Sequence, residues 1–191
     1  LERYQGGVHY RLVYGEPADL PGLVVDRYGG VLVGQIATLG MELRRSEIEA
    51  ALETTLPGAR LVWKNDGNAR DLEGLSREPV APGGEVPQTL EVIEAGLHFK
   101  VPLTDGQKTG WFYDQWANRA LLRSLLGSDR PARQNRGARV LDVCSYAGGW
   151  AVSALAAGAS SALCVDSSAS ALEWAQRNAR ANGLELAVSR G

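Results

Sequence analysis

The first half of the chain alternates apolar and polar residues over short runs, which is typical of β-strands. Gly29-Gly30 separates two of these runs and predicts a tight turn between them. We predict strands over residues 8–14, 23–28, 31–36 and 61–63.

The same half carries one helical pattern and one irregular stretch. Apolar residues recur at helical spacing over residues 44–56, and Pro57-Gly58 ends the predicted helix. Residues 65–88 are rich in Gly, Pro and charge, and we predict an irregular loop there. Residues 90–101 indicate a hairpin around Ala95-Gly96. Together these elements predict a small α+β module over residues 1–103.

In the second half the pattern changes to strands and helices in alternation, which predicts parallel βαβ units in an open sheet. A helix over residues 113–126 comes first, followed by a polar linker over 127–137. We predict strands over 139–143, 162–165 and 184–188, and helices over 148–157 and 168–181. The predicted fold class is α/β, with the α+β module followed by the start of a Rossmann-like sheet over residues 104–191. Two and a half βα units are too few to complete a doubly wound sheet, and the sequence has no initiator Met. We therefore expect a fragment of a longer protein.

The composition excludes several classes of protein but does not identify the function. The 191 residues are 45% hydrophobic and 22% charged with a net charge of −2, which excludes a polycationic nucleic-acid coat. No apolar run reaches 18 residues, so no transmembrane helix is predicted. Cys144 and Cys164 are too few for a disulfide scaffold, and with His9 and His98 they suggest no metal site.

Candidate chemistry concentrates where the predicted strands end. Asp142 lies in the strand that runs into Gly148-Gly149, and Asp166 ends the next strand. Glycines there let backbone N–H groups approach an anion, and an acid at the second strand can bind ribose hydroxyls. A dinucleotide site would need Gly-x-Gly-x-x-Gly, which is absent, so the loop suits S-adenosylmethionine better. Two structural alternatives stay open: the glycines only pack the helix against the strand, or Asp166 caps the next helix.

Several segments taken together resemble one enzyme family. Residues 106–110, 112–119, 141–149, 165–168 and 182–184 are similar to class I methyltransferases that modify large-subunit ribosomal RNA. Residues 10–28 resemble the branch that methylates C5 of cytosine. The family implies an N-terminal PUA domain, which this chain lacks, then a central α+β module and a Rossmann-like methyltransferase domain, which is incomplete here.

The resemblance implies S-adenosyl-L-methionine as the cofactor and assigns residues to it. One wall of the pocket would come from the segment around Gln107, the methionine end would meet Ser145 to Gly148, and Asp166 would bind the ribose. The cofactor-binding residues expected in this way are Gln107, Thr109, Gly110, Phe112, Asp114, Asp142, Ser145, Tyr146, Gly148 and Asp166. Trp116 stands where family members commonly have Arg, which puts any cationic contact at that position in doubt.

The implied reaction needs a cysteine thiolate that attacks C6 of cytosine so that C5 can accept the methyl group. The family places this cysteine beyond residue 191, so no catalytic residue and no metal ligand is expected in this chain. We predict instead that Cys144 and Cys164 pack in the core. The resemblance also implies ribosomal RNA as the partner, a cytoplasmic location, no membrane contact and a homodimer as a possible assembly. A guanine-N rRNA methyltransferase, an NAD-dependent oxidoreductase and a non-catalytic binding module remain as alternatives.

Overall fold

The structure is a computed structural model that describes residues 7–78, 87–104, 109–127 and 137–191. The chain divides into two compact units. The first comprises residues 1–90 and 102–113, and the second comprises residues 91–101 and 114–191. The predicted domain boundary after residue 103 stays a prediction. Residues 91–101, which precede it, belong to the second unit, and residues 104–113, which follow it, belong to the first.

The first unit is built on a four-stranded sheet in the order β1-β2-β3-β4. β1 and β2 pair antiparallel, as do β2 and β3, whereas β3 and β4 are parallel. The strands are β1 (His9–Tyr14), β2 (Leu23–Tyr28), β3 (Val31–Ile36) and β4 (Arg60–Trp63), and the helices are α1 (Leu39–Glu42), α2 (Arg45–Thr55) and α3 (Ala69–Leu72). Each predicted strand and the helix α2 are confirmed to within one or two residues.

Packing of α2 on the sheet forms the core of the first unit. Leu52 of α2 is buried with Leu23, Leu32 and Trp63 from the strands. Gly34 of β3 lies directly against the Trp63 ring, and a Cβ at this position would overlap ring atoms of Trp63. The glycine is therefore what lets the large ring lie flat on the sheet.

The predicted irregular loop over residues 65–88 is wrong in one place, because α3 forms inside it. The cause is the buried side chain of Arg70, which donates to the carbonyl oxygens of Ile36 and Ser76, each at 2.7 Å, and to Glu42 Oε2 at 2.8 Å. The contacts with Ile36 and Glu42 span 34 and 28 residues, so no local pattern reveals them. Residues 79–86 of the predicted loop lie outside the described residues.

The second unit contains the three-stranded parallel sheet β7-β8-β9 and most of the predicted hairpin. The hairpin strands are β5 (Thr89–Glu94) and β6 (Leu97–Pro102), the sheet strands are β7 (Arg139–Val143), β8 (Ser161–Asp166) and β9 (Ala187–Arg190), and the helices are α4 (Trp116–Leu126), α5 (Gly149–Ala156) and α6 (Ala169–Ala181). The hairpin turn at Ala95-Gly96 is confirmed, with φ of 51° and 78°. The Rossmann-like α/β prediction is confirmed.

Two predicted boundaries in this unit are wrong. Tyr113–Gln115 form a short 3-10 turn, and the α-helix begins only at Trp116. The third strand begins at Ala187, three residues later than predicted. The Leu184 N–H donates instead to the Ala179 carbonyl at 2.9 Å, in the turn through Gly183 that follows α6. The predicted linker over 127–137 lies outside the described residues except for Gly127 and Gly137.

The two faces of the parallel sheet differ. One face buries Cys164 and Ala162 against small residues of α5 and α6. The other face leaves Leu141 63% and Val143 60% exposed. In the part of the chain that the structure describes, no helix is both long and apolar enough to cross a membrane.

Candidate cofactor site

The candidate site lies at the carboxyl ends of β7 and β8, which meet at one edge because the two strands are parallel. Asp142 pairs with Cys164 across the two strands, and Val143 pairs with Val165. Asp142, Asp166 and the loop from Cys144 to Gly148 all belong to the second unit. This is the edge at which open α/β sheets bind their ligands.

Asp142 is a buried carboxylate that holds the start of α5. It is 8% exposed, and its Oδ2 accepts the Ala151 N–H at 3.2 Å in the first turn of that helix. The Cys164 thiol also donates to Oδ2, with Sγ 3.8 Å away. Burial raises the pKa of Asp142 to about 6, and the neighbouring Asp166 carboxylate adds to the shift, although the two hydrogen bonds oppose it.

Cys164 is fully buried in the core cluster, as predicted. Burial raises the pKa of its thiol to about 12, and the nearby Asp142 carboxylate acts in the same direction. The thiol therefore stays protonated at neutral pH. A nucleophilic thiolate at this position would have to form inside the core.

The loop after β7 departs from ordinary backbone geometry. Cys144 and Tyr146 have positive φ values of 58° and 47°, which non-glycine residues seldom adopt. The N–H groups of Cys144 and Ser145 both donate to the Val165 carbonyl, at 2.8 and 3.3 Å. Strained conformations of this kind persist only where surrounding contacts hold them, and they cluster at functional sites.

The core-packing prediction for Cys144 is wrong, because its side chain is exposed. The prediction extended the apolar pattern of the strand by one residue. β7 ends at Val143, and Cys144 already lies in the turn that follows. The alternation that places strand residues in the core no longer applies there.

Gly148 is required by packing. Its φ is 76°, and a Cβ would lie 2.8 Å from the Ala175 Cβ of α6. The glycine lets the loop approach α6, which is a different contact from the predicted packing of the helix against the strand. A contact between Gly148 and the cofactor stays a prediction.

Asp166 joins the loop to the beginning of α6. Its Oδ2 accepts the Tyr146 N–H and its Oδ1 accepts the Ser168 N–H, both at 2.9 Å. The residue that caps α6 is Ser168, whose Oγ accepts the Ala171 N–H at 3.2 Å, so the N-cap alternative for Asp166 is wrong. Each carboxylate oxygen of the half-buried Asp166 keeps further capacity to accept hydrogen bonds.

The two acids have no cationic partner of their own. Within the described ranges, no Lys or Arg side chain forms an ion pair with Asp142 or Asp166. The arrangement therefore suits a ligand that brings positive charge near Asp142 and hydroxyl donors near Asp166.

The other predicted residues lie elsewhere or outside the described part. Gln107 is among the residues that the structure does not describe. Thr109, Gly110 and Phe112 belong to the first unit, where the buried Thr109 hydroxyl donates to Asp26. Asp114 belongs to the second unit, is exposed and accepts the Gln115 amide at 2.9 Å.

Trp116, which stands at the position of the family Arg, is the first residue of α4 and is 37% exposed. Sequence reasoning also missed Asn178, whose amide reaches the Ala147 carbonyl in the loop. Its place four residues before Asn182 was the available signal. Around the described residues, no group of three His, Cys, Asp or Glu side chains could hold a metal ion.

The second unit has a Rossmann-like α/β fold, and comparison with known proteins gives the family. Residues 59–190 match the model of the S-adenosylmethionine-dependent methyltransferase family. The chain therefore belongs to the S-adenosylmethionine-dependent methyltransferases, and the oxidoreductase alternative is wrong.

Curated relatives carry a more specific name. The chain is 36% identical over 178 residues to ribosomal RNA large subunit methyltransferase I of Erwinia tasmaniensis, covering 93% of this chain and 43% of that protein. It is 37% identical over 187 residues to the protein of the same name from Escherichia coli O139:H28, covering 97% and 45%. The chain thus spans less than half the length of these relatives.

Solved structures agree with the fold. A protein described as a SAM-dependent methyltransferase from Streptococcus mutans superposes with a TM-score of 0.75 at 26% identity, covering 96% of this chain and 45% of that one. A methyltransferase crystallised with S-adenosylhomocysteine gives a TM-score of 0.77 at 25% identity, covering 99% and 46%.

The residues at the edge of the sheet fit S-adenosylmethionine, the family's cofactor. The cofactor's ammonium and sulfonium groups would suit the Asp142 carboxylate, and its two ribose hydroxyls would suit the acceptor oxygens of Asp166. Bound there, the cofactor provides an electrophilic methyl group. The fit rests on the Asp142 carboxylate, whose charged form is costly because the side chain is buried.

Proposed function

We propose that this chain is the cofactor-binding part of an enzyme that transfers a methyl group from S-adenosylmethionine to C5 of a cytosine in large-subunit ribosomal RNA. Two relatives whose names specify large-subunit ribosomal RNA support the substrate. The resemblance of residues 10–28 to the cytosine-C5 branch supports the atom. A guanine-N transfer is the second candidate, because its family shares the segments around Gln107 and Tyr146.

The observation that carries the cofactor part of this proposal is the pair of acids at the ends of adjacent parallel strands. Asp142 is buried with no Lys or Arg side chain of the described ranges paired to it, and each Asp166 carboxylate oxygen accepts a backbone N–H. We assign Asp166 to the ribose hydroxyls and Asp142 to the positive methionine end. We place Ser145, Tyr146 and Gly148 at the methionine end on the strength of the resemblance, although their own N–H groups already donate within the loop and to β8.

The segment before α4 has a separate place in the proposal. We keep Gln107, Thr109, Gly110, Phe112 and Asp114 as cofactor contacts on the strength of the resemblance. The Thr109 hydroxyl already donates to Asp26, so we expect Thr109 to act through its backbone.

In this proposal the methyl acceptor is activated by a cysteine that lies outside residues 1–191. Cys164 is unsuitable, because its thiol is buried with a pKa of about 12. We expect the nucleophile in the remainder of the longer protein, given that the relatives are more than twice as long as the matched region. A cytoplasmic location and a homodimer belong to the same proposal.

The test is calorimetric titration of the full-length protein with S-adenosylhomocysteine, with NADH as the control ligand. We expect the first to bind and the second not to bind. In the Asp166→Ala variant, affinity for S-adenosylhomocysteine should fall by about 1–3 kcal/mol, the scale of a lost hydrogen bond to a charged group. An unchanged affinity would remove Asp166 from the site.

The substrate is tested by methyl transfer to unmodified large-subunit rRNA followed by mapping of the modified base. A 5-methylcytosine supports the proposal, whereas an N-methylguanine favours the second candidate. A downstream Cys→Ala variant should form neither a protein–RNA adduct nor product, and retained methyl transfer in that variant would contradict the thiolate mechanism.

A further inference from the structure

One face of α6 carries Ala175, Asn178 and Asn182, which are neighbours because they are three, four and seven residues apart. Ala175 lies against Gly148 of the candidate cofactor loop. The two asparagines lie against β6. All of these residues belong to the second unit.

Asn178 uses its whole side-chain amide and is 1% exposed. Its Oδ1 accepts the Lys100 N–H at 2.7 Å, and its Nδ2 donates to the Lys100 carbonyl at 3.1 Å. The second Nδ2 hydrogen goes to the Ala147 carbonyl at 3.0 Å. An amide that is buried with every donor in use is held in one orientation, since any rotation would leave a polar group unsatisfied.

Asn182 repeats the first half of this arrangement one turn later. Its Oδ1 accepts the His98 N–H at 2.9 Å, and its Nδ2 donates to the His98 carbonyl at 2.7 Å. Its remaining donor goes to the Asn178 carbonyl within α6 at 2.8 Å. Since His98 and Lys100 are two residues apart, the asparagines pair with the same edge of β6, much as a strand would.

The two asparagines differ in their contact with the loop. Both bind β6, but of the two only Asn178 also donates a hydrogen bond to a residue of the segment 144–148. Three consecutive loop residues are then fixed by three different groups. Asp166 accepts the Tyr146 N–H, Asn178 donates to the Ala147 carbonyl, and Ala175 packs against Gly148.

We infer that Asn178 is a positioning residue for the cofactor: its amide fixes the Ala147 peptide and so holds the strained loop between Cys144 and Gly148 in the conformation that receives the ligand. This inference rests on the proposed assignment of that loop to S-adenosylmethionine. Asn178 itself touches the loop backbone and acts through it. The loop needs such support because two of its non-glycine residues have positive φ.

The experiment compares Asn178→Ala with Asn182→Ala in the full-length protein, measuring the Kd of S-adenosylhomocysteine and the thermal midpoint of each. Both variants lose the pairing with β6, so both should lower the midpoint. Only Asn178→Ala should raise the Kd, by about ten-fold, which corresponds to about 1.4 kcal/mol. Asn182→Ala, the matched control, should stay within about two-fold of the wild type.

A nearly isosteric variant, Asn178→Asp, covers the case in which Asn178→Ala does not fold. It keeps the acceptor for the Lys100 N–H and removes both donors, so the Kd should rise there as well. A Kd that is unchanged in the folded Asn178 variants overturns the inference, and so does an equal rise in Asn182→Ala. If the wild type binds no S-adenosylhomocysteine, the proposed function has failed instead. If the wild type binds it and Asp166→Ala weakens that binding while the Asn178 variants do not, only the inference about Asn178 has failed.

Discussion

Two buried acids, one in each unit, are held in opposite ways. Asp26 in β2 is fully buried, and its carboxylate receives two hydrogen bonds from the Arg11 guanidinium, at 2.8 and 2.9 Å, and one from the Thr109 hydroxyl. Asp142 in β7 is nearly as buried, yet among the described residues it receives only the Ala151 N–H and the Cys164 thiol. Burial raises its pKa to about 6, and the neighbouring Asp166 carboxylate adds to the shift.

The difference separates a structural acid from one that is arranged for a ligand. The charge on Asp26 is compensated inside its own unit, so the residue contributes to the fold and has little left to offer a ligand. Within the part of the chain that the structure describes, no Lys or Arg side chain pairs with Asp142, and a buried charge without a partner costs stability. Natural proteins retain such costly groups chiefly at functional sites.

The first way to break this comparison is to remove the charge from Asp26. Asp26→Asn keeps the size of the side chain and leaves the mostly buried Arg11 guanidinium without its counter-charge. We expect a loss of about 3–5 kcal/mol in the free energy of unfolding, the usual cost of breaking a buried pair from one side. Urea unfolding of the full-length protein measures it.

The matched control is Glu47→Gln, which breaks the pair between Arg44 and Glu47 where both side chains are about two-thirds exposed. That change should cost no more than about 1 kcal/mol. Equal effects of the two substitutions would mean that the Asp26 network is not a structural pair and that the comparison with Asp142 is wrong.

The second prediction has the opposite sign. An acid whose pKa is about 6 in the folded protein and 3.8 in the unfolded chain binds protons more tightly when folded. Its contribution to stability is therefore complete below pH 3.8 and is lost as the pH rises through 6. Asp142→Asn, which mimics the protonated form, should stabilise the unliganded protein at pH 8 by up to about 3 kcal/mol.

The pH dependence supplies the control for Asp142→Asn. The gain in thermal midpoint over the wild type should shrink between pH 6 and pH 4, where the wild-type carboxyl is itself protonated. The same variant should bind S-adenosylhomocysteine more weakly at pH 8, because it offers no charge to the ligand's ammonium group. A variant that is less stable than the wild type at pH 8 would show that the Asp142 charge is compensated after all.

The sequence predicts this contrast only in part. The strands, the main helices and the placement of Asp142 and Asp166 at strand ends follow from local periodicity and short motifs. That Asp26 would be paired does not follow, because Arg11 and Thr109 lie 15 and 83 residues away in the chain. The same holds for α3, which forms around long-range contacts of Arg70.

Turn geometry is the second reason that sequence reasoning falls short. Hydrophobic periodicity assigns a residue to one face of the sheet only while the strand continues. No feature of the sequence indicates that β7 ends at Val143, just before Cys144. The Ser168 cap was equally visible in the sequence as Asp166, but only coordinates show which of the two accepts the Ala171 N–H.

The smallest expected effect belongs to Cys144, and it tests the assignment of the nucleophile outside this chain. Cys144 is the first residue of the candidate cofactor loop, its side chain is exposed, and its N–H donates to the Val165 carbonyl at 2.8 Å. Replacing an exposed side chain changes free energies by about 0.5 kcal/mol or less, which is about two-fold in a rate. Cys144→Ala in the full-length protein should therefore keep kcat/KM for methyl transfer within about two-fold, with Cys144→Gly as a companion that also relieves the positive φ. Abolished transfer with S-adenosylhomocysteine binding retained would make Cys144 the nucleophile and would place the chemistry, as well as the cofactor, at the edge where β7 and β8 end.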